Sequence, residues 1–507
     1  MSSETAPNQV QVQPIQRVRG TNDVLPPADA RLRRLEAELR AGFEAFGYQG
    51  IQTPIIEPLE LFLRKSGEEI VARMYAFSHW NRRLCLRPEL TASVMRAILG
   101  DLQSHSLPLR FHYAGPSFRY ERPSRARFRQ FTQVGVELIG AAGPAADAEV
   151  LHLACRGLEA VGITGYRLVV GHLGAVLQLL AQLGMSDHAQ GLVLDLMEPI
   201  GRGRLEVDEA VSRVVGLLGG SANGAVPSEL PSALATLPPE QATAIAADIL
   251  ARASLPVEGG SREPRHIIQR LLAKANRPDP TDQVRAAFEF VGELHHLRGA
   301  ELRAALRRRG LSTAPLDEVE GALKLLEAYG PPGGGVQVEV DLSLARGLRY
   351  YTGLVFEIYV ESDEGPLQVG GGGRYDDLVR ALGGREPVPA CGFSYGLERI
   401  DLARPPVEEP MPPRVLVAAV SEADHAAAVA VAAQLREVPG LVVEQDVRLR
   451  GPKAALRHAD RGGIPAVVLL GQQERDEGVA VLRDMRTRRE SRVPFDQLAN
   501  AVRAVVL

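Results

Sequence analysis

The chain has 507 residues, 45% of them hydrophobic and 24% charged, with a formal net charge of -4. That is an ordinary globular composition with room for two or three cores, which excludes a collagen-like or largely disordered protein. There is no general positive field, so nucleic acid could be held only by local patches. Cys85, Cys155 and Cys391 lie far apart without metal spacing and read as reduced thiols of a cytoplasmic protein. No apolar run is long enough to cross a bilayer, so no membrane partner is expected. The polar N-terminal residues read as a loose tail and not as a secretion signal.

In chain order, Leu32, Leu35, Leu39, Phe43 and Phe46 recur at helical spacing and predict an amphipathic helix that Gly47 ends. "GIQTPIIEP", Gly50 to Pro58, reads as an extended strand broken by Pro54, a residue suited to an edge or a subunit boundary. A hairpin of Met74–Phe77 with Arg83–Leu86 is predicted next, then a helix from about Thr91 with Thr91 as its cap. "LRFHYAGPSFRYERP" and "FRQFTQVGVELIG" predict two long antiparallel strands joined by a basic loop from Arg122 to Arg127. Asp147–Val161 reads as a helix and Tyr166–Val170 as a strand. From about Asp187 to Pro332 the pattern turns helical and Ala/Leu-rich, an insertion without recognisable chemistry.

Strand alternation resumes at Val336, Val338 and Val340. After the linker "RPPVEEPMPP", apolar strands and helices alternate as β-α-β-α-β. The expected fold class is therefore α+β: an antiparallel, helix-backed core with a helical insertion, plus a C-terminal α/β domain. The expected boundaries are a tail at 1–16, a core at 17–403 with the insertion at about 187–332, a linker at 404–413 and the last domain at 414–507.

The chemistry concentrates around "FRYERPSRARFRQFTQVGVE". On a strand, Phe131, Gln133, Gly135 and Glu137 share a face, and a bare Gly135 leaves room for a ligand above it. Gln133 can hydrogen-bond a polar ligand, Glu137 can bind an ammonium group, and Phe131 can stack on a base. Arg119 and Glu121 share a face of the preceding strand, where a guanidinium can grip a phosphate bidentately. A surface ion-pair ladder accounts for this stretch equally well. Other stretches add polar groups to Gly-containing apolar segments: "LRPELT" brings Glu89 and Thr91, and "RGLRYYTG" brings Arg346, Tyr350 and Tyr351. "GGGGRYDDL" sets a glycine run before Tyr375, and "GFSYGLERI" puts Arg399 on a helix.

In this order the stretches resemble class II aminoacyl-tRNA synthetases, and specifically the histidyl-tRNA synthetase family. "GYQGIQTPIIEP", "FRYERPSRARFRQFTQVGVE" and "GFSYGLERI" are similar to the three class motifs. "RGLRYYTGLVFE" and "GGGGRYDDL" are similar to the two histidine-specific ones. The resemblance implies ATP-dependent activation of histidine and its transfer to tRNA(His) by a homodimer. ATP would enter as its Mg2+ complex, with no prosthetic group and no metal motif of the protein's own. It implies Arg119 on the α-phosphate, Glu121 and Arg127 in the nucleotide loop, Phe131 stacked on adenine, and Arg399 on the other adenine face and the γ-phosphate. It implies Glu89, Thr91, Gln133, Glu137, Tyr350, Tyr351 and Tyr375 around histidine, and Arg346 against the reacting carboxylate and α-phosphate. Arg346 and Arg119 are then the catalytic pair. "RGPKAALRHADRGGIPAVVLLG" resembles the family's anticodon-binding domain, which implies Lys453 and Arg457, with Arg122 of the loop, as tRNA contacts.

The sequence departs from the family pattern at Arg349, usually aspartate, at Leu90, usually glycine, and at Thr132, usually histidine. "GHLGAVLQLLAQLG" resembles the regulatory subunit of ATP phosphoribosyltransferase, a relative that lacks the anticodon domain. A histidine-sensing, non-charging protein is therefore the alternative.

Overall fold

The computed structural model describes residues 14–64, 73–100, 106–124, 126–201, 203–219, 281–330, 335–344, 346, 350–406 and 412–506. The departure at Arg349 and the insertion between 220 and 280 lie outside the described residues. The chain divides into two compact units, Met1–Pro405 and Pro406–Leu507.

The first unit is built on eight strands: β1 (Gln49–Gly50), β5 (Leu109–Phe118), β6 (Gln130–Ile139), β7 (Arg167–His172), β8 (Gln337–Val340), β9 (Leu354–Val360), β10 (Leu367–Arg374) and β11 (Ala390–Gly396). Their order is β1-β5-β6-β11-β10-β9-β7-β8. The ladder is antiparallel except at its two ends, where β1 joins β5 and β7 joins β8 in parallel. Three further strands, β2 (Ile56–Pro58), β3 (Ala76–His79) and β4 (Arg82–Leu86), form a small antiparallel sheet.

Alternation decides which face is covered. Val134, Val136 and Leu138 turn away from Gln133, Gly135 and Glu137. They pack against Leu35, Leu39 and Phe43 of the helix Ala28–Glu44 and Leu151 and Leu158 of the helix Pro144–Ala160. Each such fully buried side chain contributes roughly 1.5–3 kcal/mol. The other face looks toward a second core that includes Tyr113, Tyr350 and Tyr375. That core runs without a break into the helices Asp187–Gly201, Val207–Gly219 and Thr281–His296 through Val193, Met197, Val214, Phe288 and Phe290. The insertion is thus helical among its described residues, and it shares its core with the face that carries the polar groups.

Three local expectations need correction. Gly50–Pro58 is broken around Pro54 as expected but is not a single strand of one sheet: the Ile51 N–H still donates to the His112 carbonyl at 2.9 Å, and Arg87 Nη1 then takes the Thr53 carbonyl at 2.8 Å and the Pro54 carbonyl at 3.3 Å before β2 begins at Ile56. The strand before the basic loop ends at Phe118, so Arg119 and Glu121 do not share a strand face; the Glu121 N–H turns back to the Arg119 carbonyl at 2.8 Å. Thr91 does not cap its helix. The Glu89 carboxylate accepts the Ala92 N–H at 3.1 Å and does that work, which frees the Thr91 hydroxyl to point elsewhere.

The second unit has β12 (Arg414–Ala419), β13 (Val442–Gln445), β14 (Ala466–Leu470), β15 (Val479–Asp484) and β16 (Glu490–Pro494), in the order β13-β12-β14-β15-β16. The first three are parallel, and β15 and β16 add an antiparallel edge. The helix Pro452–Arg461 turns Ala455 and Ala459 inward and leaves Lys453, Arg457 and Arg461 exposed.

Candidate active site

Strand register assembles the site. Across the sheet, Tyr113 and Ser117 of β5 stand opposite Gly135 and Phe131 of β6. Glu137 and Gly135 in turn oppose Gly392 and Ser394 of β11, and these oppose Gly373 and Gly371 of β10. Directly opposed residues project to the same face, so these positions form one floor. Its glycines are required by what lies on them. A Cβ at Gly371 would sit 1.7 Å from Nη1 of Arg346, so the guanidinium occupies the space a side chain would fill. Gly135 has a different role from the one expected. Its Cβ would meet the Phe393 carbonyl at 2.2 Å, so the room there belongs to the neighbouring strand and not to a ligand.

One end of the floor holds a buried carboxylate. Glu137 has no exposed surface, and it accepts the hydroxyls of Thr91 at 2.7 Å, Tyr113 at 3.0 Å and Tyr375. The rings of Tyr350, Tyr351 and Tyr375 close around it, with centroids 4.9, 5.5 and 6.2 Å apart. Glu89 is buried nearby. Burial pushes the Glu137 carboxyl well above the usual range, against the pull of the Thr91 and Tyr113 hydroxyls. Burial also raises Glu89, although the Ala92 N–H and Arg119 oppose it. Among the described residues no cation lies at hydrogen-bond distance from either buried acid, an environment suited to a positively charged ligand.

The other end is a pocket lined by Arg119, Glu121, Arg127, Phe131, Gln133, Arg346 and Arg399 among others. Arg119 is anchored by Nε on the Pro88 carbonyl at 2.9 Å, with its guanidinium 5.3 Å from the Phe131 ring centroid. Arg399 donates to the Ala126 carbonyl and the Gln368 carbonyl, both at 3.0 Å. Burial lowers the Arg399 pKa, and Arg127 and Arg119 lower it further, the signature of cations crowded together for an anion. Arg346 stands at the seam: it lines the pocket, donates to the Phe356 carbonyl at 2.9 Å, and lies 5.9 Å from the Tyr351 ring. Gln133 stands there too, accepting from Ser117 at 2.9 Å and donating to Ser394 at 3.1 Å.

The N-terminal segment braces the pocket loop. The Arg129 N–H donates to the Gly20 carbonyl at 2.7 Å. Gly20 has φ +86°, and a Cβ there would lie 2.8 Å from Pro123 and 2.9 Å from Arg129. Only glycine fits both the conformation and the space.

Of the residues singled out from sequence, Arg119, Glu121, Arg127, Phe131, Arg399, Gln133 and Arg346 converge on the pocket. Glu89, Thr91, Glu137, Tyr350, Tyr351 and Tyr375 gather beside it without lining it. Arg122 is exposed and does not line the pocket. Sequence reasoning missed Tyr113, Glu398, which accepts the Thr132 N–H at 2.9 Å, and Glu357, 3.8 Å from Arg346. Only the cross-strand register reveals Tyr113, and nothing local in "LRFHYAG" marks it. The arrangement can hold a polyanion at one end and a small ammonium-bearing molecule at the other, with one guanidinium between them. Among the described residues no group of His, Cys, Asp and Glu side chains is arranged to hold a metal.

A family model described as histidyl-tRNA synthetase matches residues 20–212 and 262–400, and one described as anticodon binding domain matches 414–505. The first therefore reaches into both ends of the segment read as an insertion. The histidine--tRNA ligase of Methanocaldococcus jannaschii is 32% identical over 492 residues, covering 96% of this chain and 99% of that relative. That of Methanosarcina acetivorans is 34% identical over 475 residues, covering 93% and 94%. The solved structure of apo S. aureus histidyl-tRNA synthetase superposes with a TM-score of 0.62 at 24% identity, covering 96% of this chain and 99% of that one, and so shares the fold. With relatives that match it almost end to end, and with a family model over more than half its length, the chain carries an anticodon-binding domain and belongs to the histidyl-tRNA synthetase family.

Proposed function

We propose that the chain is a histidine–tRNA ligase whose two site compartments hold histidine and ATP, with Arg346 at the point where they react. The observation that carries this reading is the juxtaposition itself: a buried carboxylate and tyrosine cluster joined to an arginine-lined pocket through Arg346. The histidine ammonium brings positive charge to Glu137 and Glu89, while Tyr350, Tyr351, Tyr375, Thr91 and Gln133 orient the rest of the amino acid. ATP, as its Mg2+ complex, lies among Arg119, Arg127 and Arg399 with its base against Phe131. Glu121 and Glu398, both lining the pocket, are the carboxylates offered to the hydrated metal.

A carboxylate oxygen of histidine attacks the α-phosphorus, the bond to the β-phosphate oxygen breaks, and pyrophosphate leaves. The nucleophile and the phosphate are both negative, so the barrier is mainly electrostatic and positional. Arg346 and Arg119 lower it by standing where that charge accumulates. No side-chain nucleophile is needed. A hydroxyl of the terminal ribose of tRNA(His) then attacks the acyl carbon and AMP leaves. Lys453 and Arg457 of the second unit and the exposed Arg122 are the cations offered to the tRNA backbone.

A homodimer is supported by apolar side chains exposed on and beside the small sheet, namely Ile55, Ile56, Phe77 and Trp80, the last 88% exposed. Buried free thiols at Cys85, Cys155 and Cys391 fit a cytoplasmic enzyme. No described helix is long and apolar enough to cross a membrane. The test is aminoacylation of a tRNA(His) transcript by the purified chain. Histidine esterified at the 3′ end is the expected product. Failure to charge while the adenylate forms would remove tRNA transfer from the proposal.

A further inference from the structure

Arg346 reaches the sheet floor from a short segment whose other end is gripped by the helical insertion. Strand β8 ends at Val340, and Asp341 then folds the chain back on itself. Its carboxylate accepts the Ser343 N–H at 2.9 Å and the Ser343 hydroxyl at 2.5 Å, and its carbonyl accepts the Leu344 N–H at 3.1 Å. All three residues are buried. From the last turn of the helix Thr281–His296, His295 places Nδ1 2.8 Å from the second carboxylate oxygen of Asp341 and 3.3 Å from the Ser343 hydroxyl. An ionised carboxylate only accepts, so Nδ1 carries the proton and donates.

The helix Asp187–Gly201 abuts the same turn, since a Cβ at Gly201 would lie 2.8 Å from Ser343 Oγ. Two residues past Leu344, Arg346 lies over Gly371. These three side chains are no nucleophilic triad, because serine and aspartate meet the same ring nitrogen.

We infer that His295 is a positioning residue for Arg346: by bracing Asp341 and Ser343 it lets the insertion fix where the catalytic guanidinium stands. This rests on the role proposed above for Arg346. A guanidinium at the reacting groups is sensitive to small displacements in the transition state, while most ground-state contacts of histidine and ATP are made by other residues.

The experiment is a double-mutant cycle on the full chain: His295→Ala, Arg346→Ala and the pair, with His295→Asn as the conservative variant. Single-turnover adenylate formation and the KM for histidine and ATP are read together. The His295 side chain is 30% exposed, so truncation opens no large cavity. His295→Ala is expected to slow adenylate formation about tenfold with both KM values within about twofold. His295→Asn, which keeps an N–H near Nδ1, recovers most of the rate. In the Arg346→Ala background removing His295 costs nothing further.

An independent loss in that background, a rise in KM without a change in rate, or no loss at all overturns the inference. If Arg346→Ala alone keeps near wild-type rates, the role proposed for Arg346 fails, and the positioning role fails with it. Should His295→Ala not fold, Ser343→Ala replaces it in the same cycle with the same expected pattern.

Discussion

Replacing Glu137 with glutamine should make the ligand-free protein more stable and the enzyme far worse at binding histidine. Glu137 is fully buried with three hydroxyl donors around it, and burial raises its pKa in the fold. A carboxyl whose folded pKa is raised favours the fold below the unfolded value of about 4.3 and loses that contribution as pH climbs through the folded value. At neutral pH it is therefore a burden, on the order of 1–3 kcal/mol for a buried charge with hydroxyl donors but no described counter-cation. The neutral amide removes it, so the Tm gain of Glu137→Gln should be small near pH 4 and grow toward neutrality. Histidine binding moves the other way. Taking one partner from a buried ion pair costs about 3–5 kcal/mol, or roughly a hundredfold to several thousandfold in KM at 1.36 kcal/mol per decade. Thermal melts across pH and the histidine KM in adenylate formation check both halves. A variant with unchanged KM, or one less stable at pH 7, would refute the ammonium–carboxylate account.

Gly371→Ala puts a methyl where Arg346 Nη1 lies, 1.7 Å from it, and should slow adenylate formation by about a hundredfold while histidine still binds in a direct titration. Gly20→Ala should loosen the loop that ends at Arg129 and raise the KM for ATP several-fold, with the KM for histidine nearly unchanged; equal rises in both would remove the bracing role. Lys453→Ala with Arg457→Ala should weaken charging of tRNA(His) and lower the slope of log KM against log salt by about one to two, with adenylate formation untouched. A salt slope equal to wild type would show that these cations face solvent only.

The strand and its loop were legible because alternation and charge are local properties. Phe131, Gln133 and Glu137 share a face for the reason the sequence implied, and Val134 and Val136 cover the core. Thr91 was misread as a cap because a hydroxyl at a helix start has a local explanation that is usually right, while its partner here, Glu137, is 46 residues away. Gly135 was misread because a missing side chain does not say whether ligand or backbone fills the space. Tyr113 and Glu357 escaped notice for a related reason: the register of β5 on β6 and of β9 on β10 decides what they face, and those pairings are set by the whole sheet. The shared core of insertion and site face was equally hidden, since helical periodicity gives an apolar stripe and not its partner.

The most direct test of the account is amino-acid-dependent ATP–pyrophosphate exchange by the purified chain, run with histidine and with each of the other standard amino acids. Exchange with histidine alone is the predicted result, lost in Arg346→Ala. Histidine that binds in a direct titration yet supports no exchange would contradict the account and leave a histidine-sensing protein in its place.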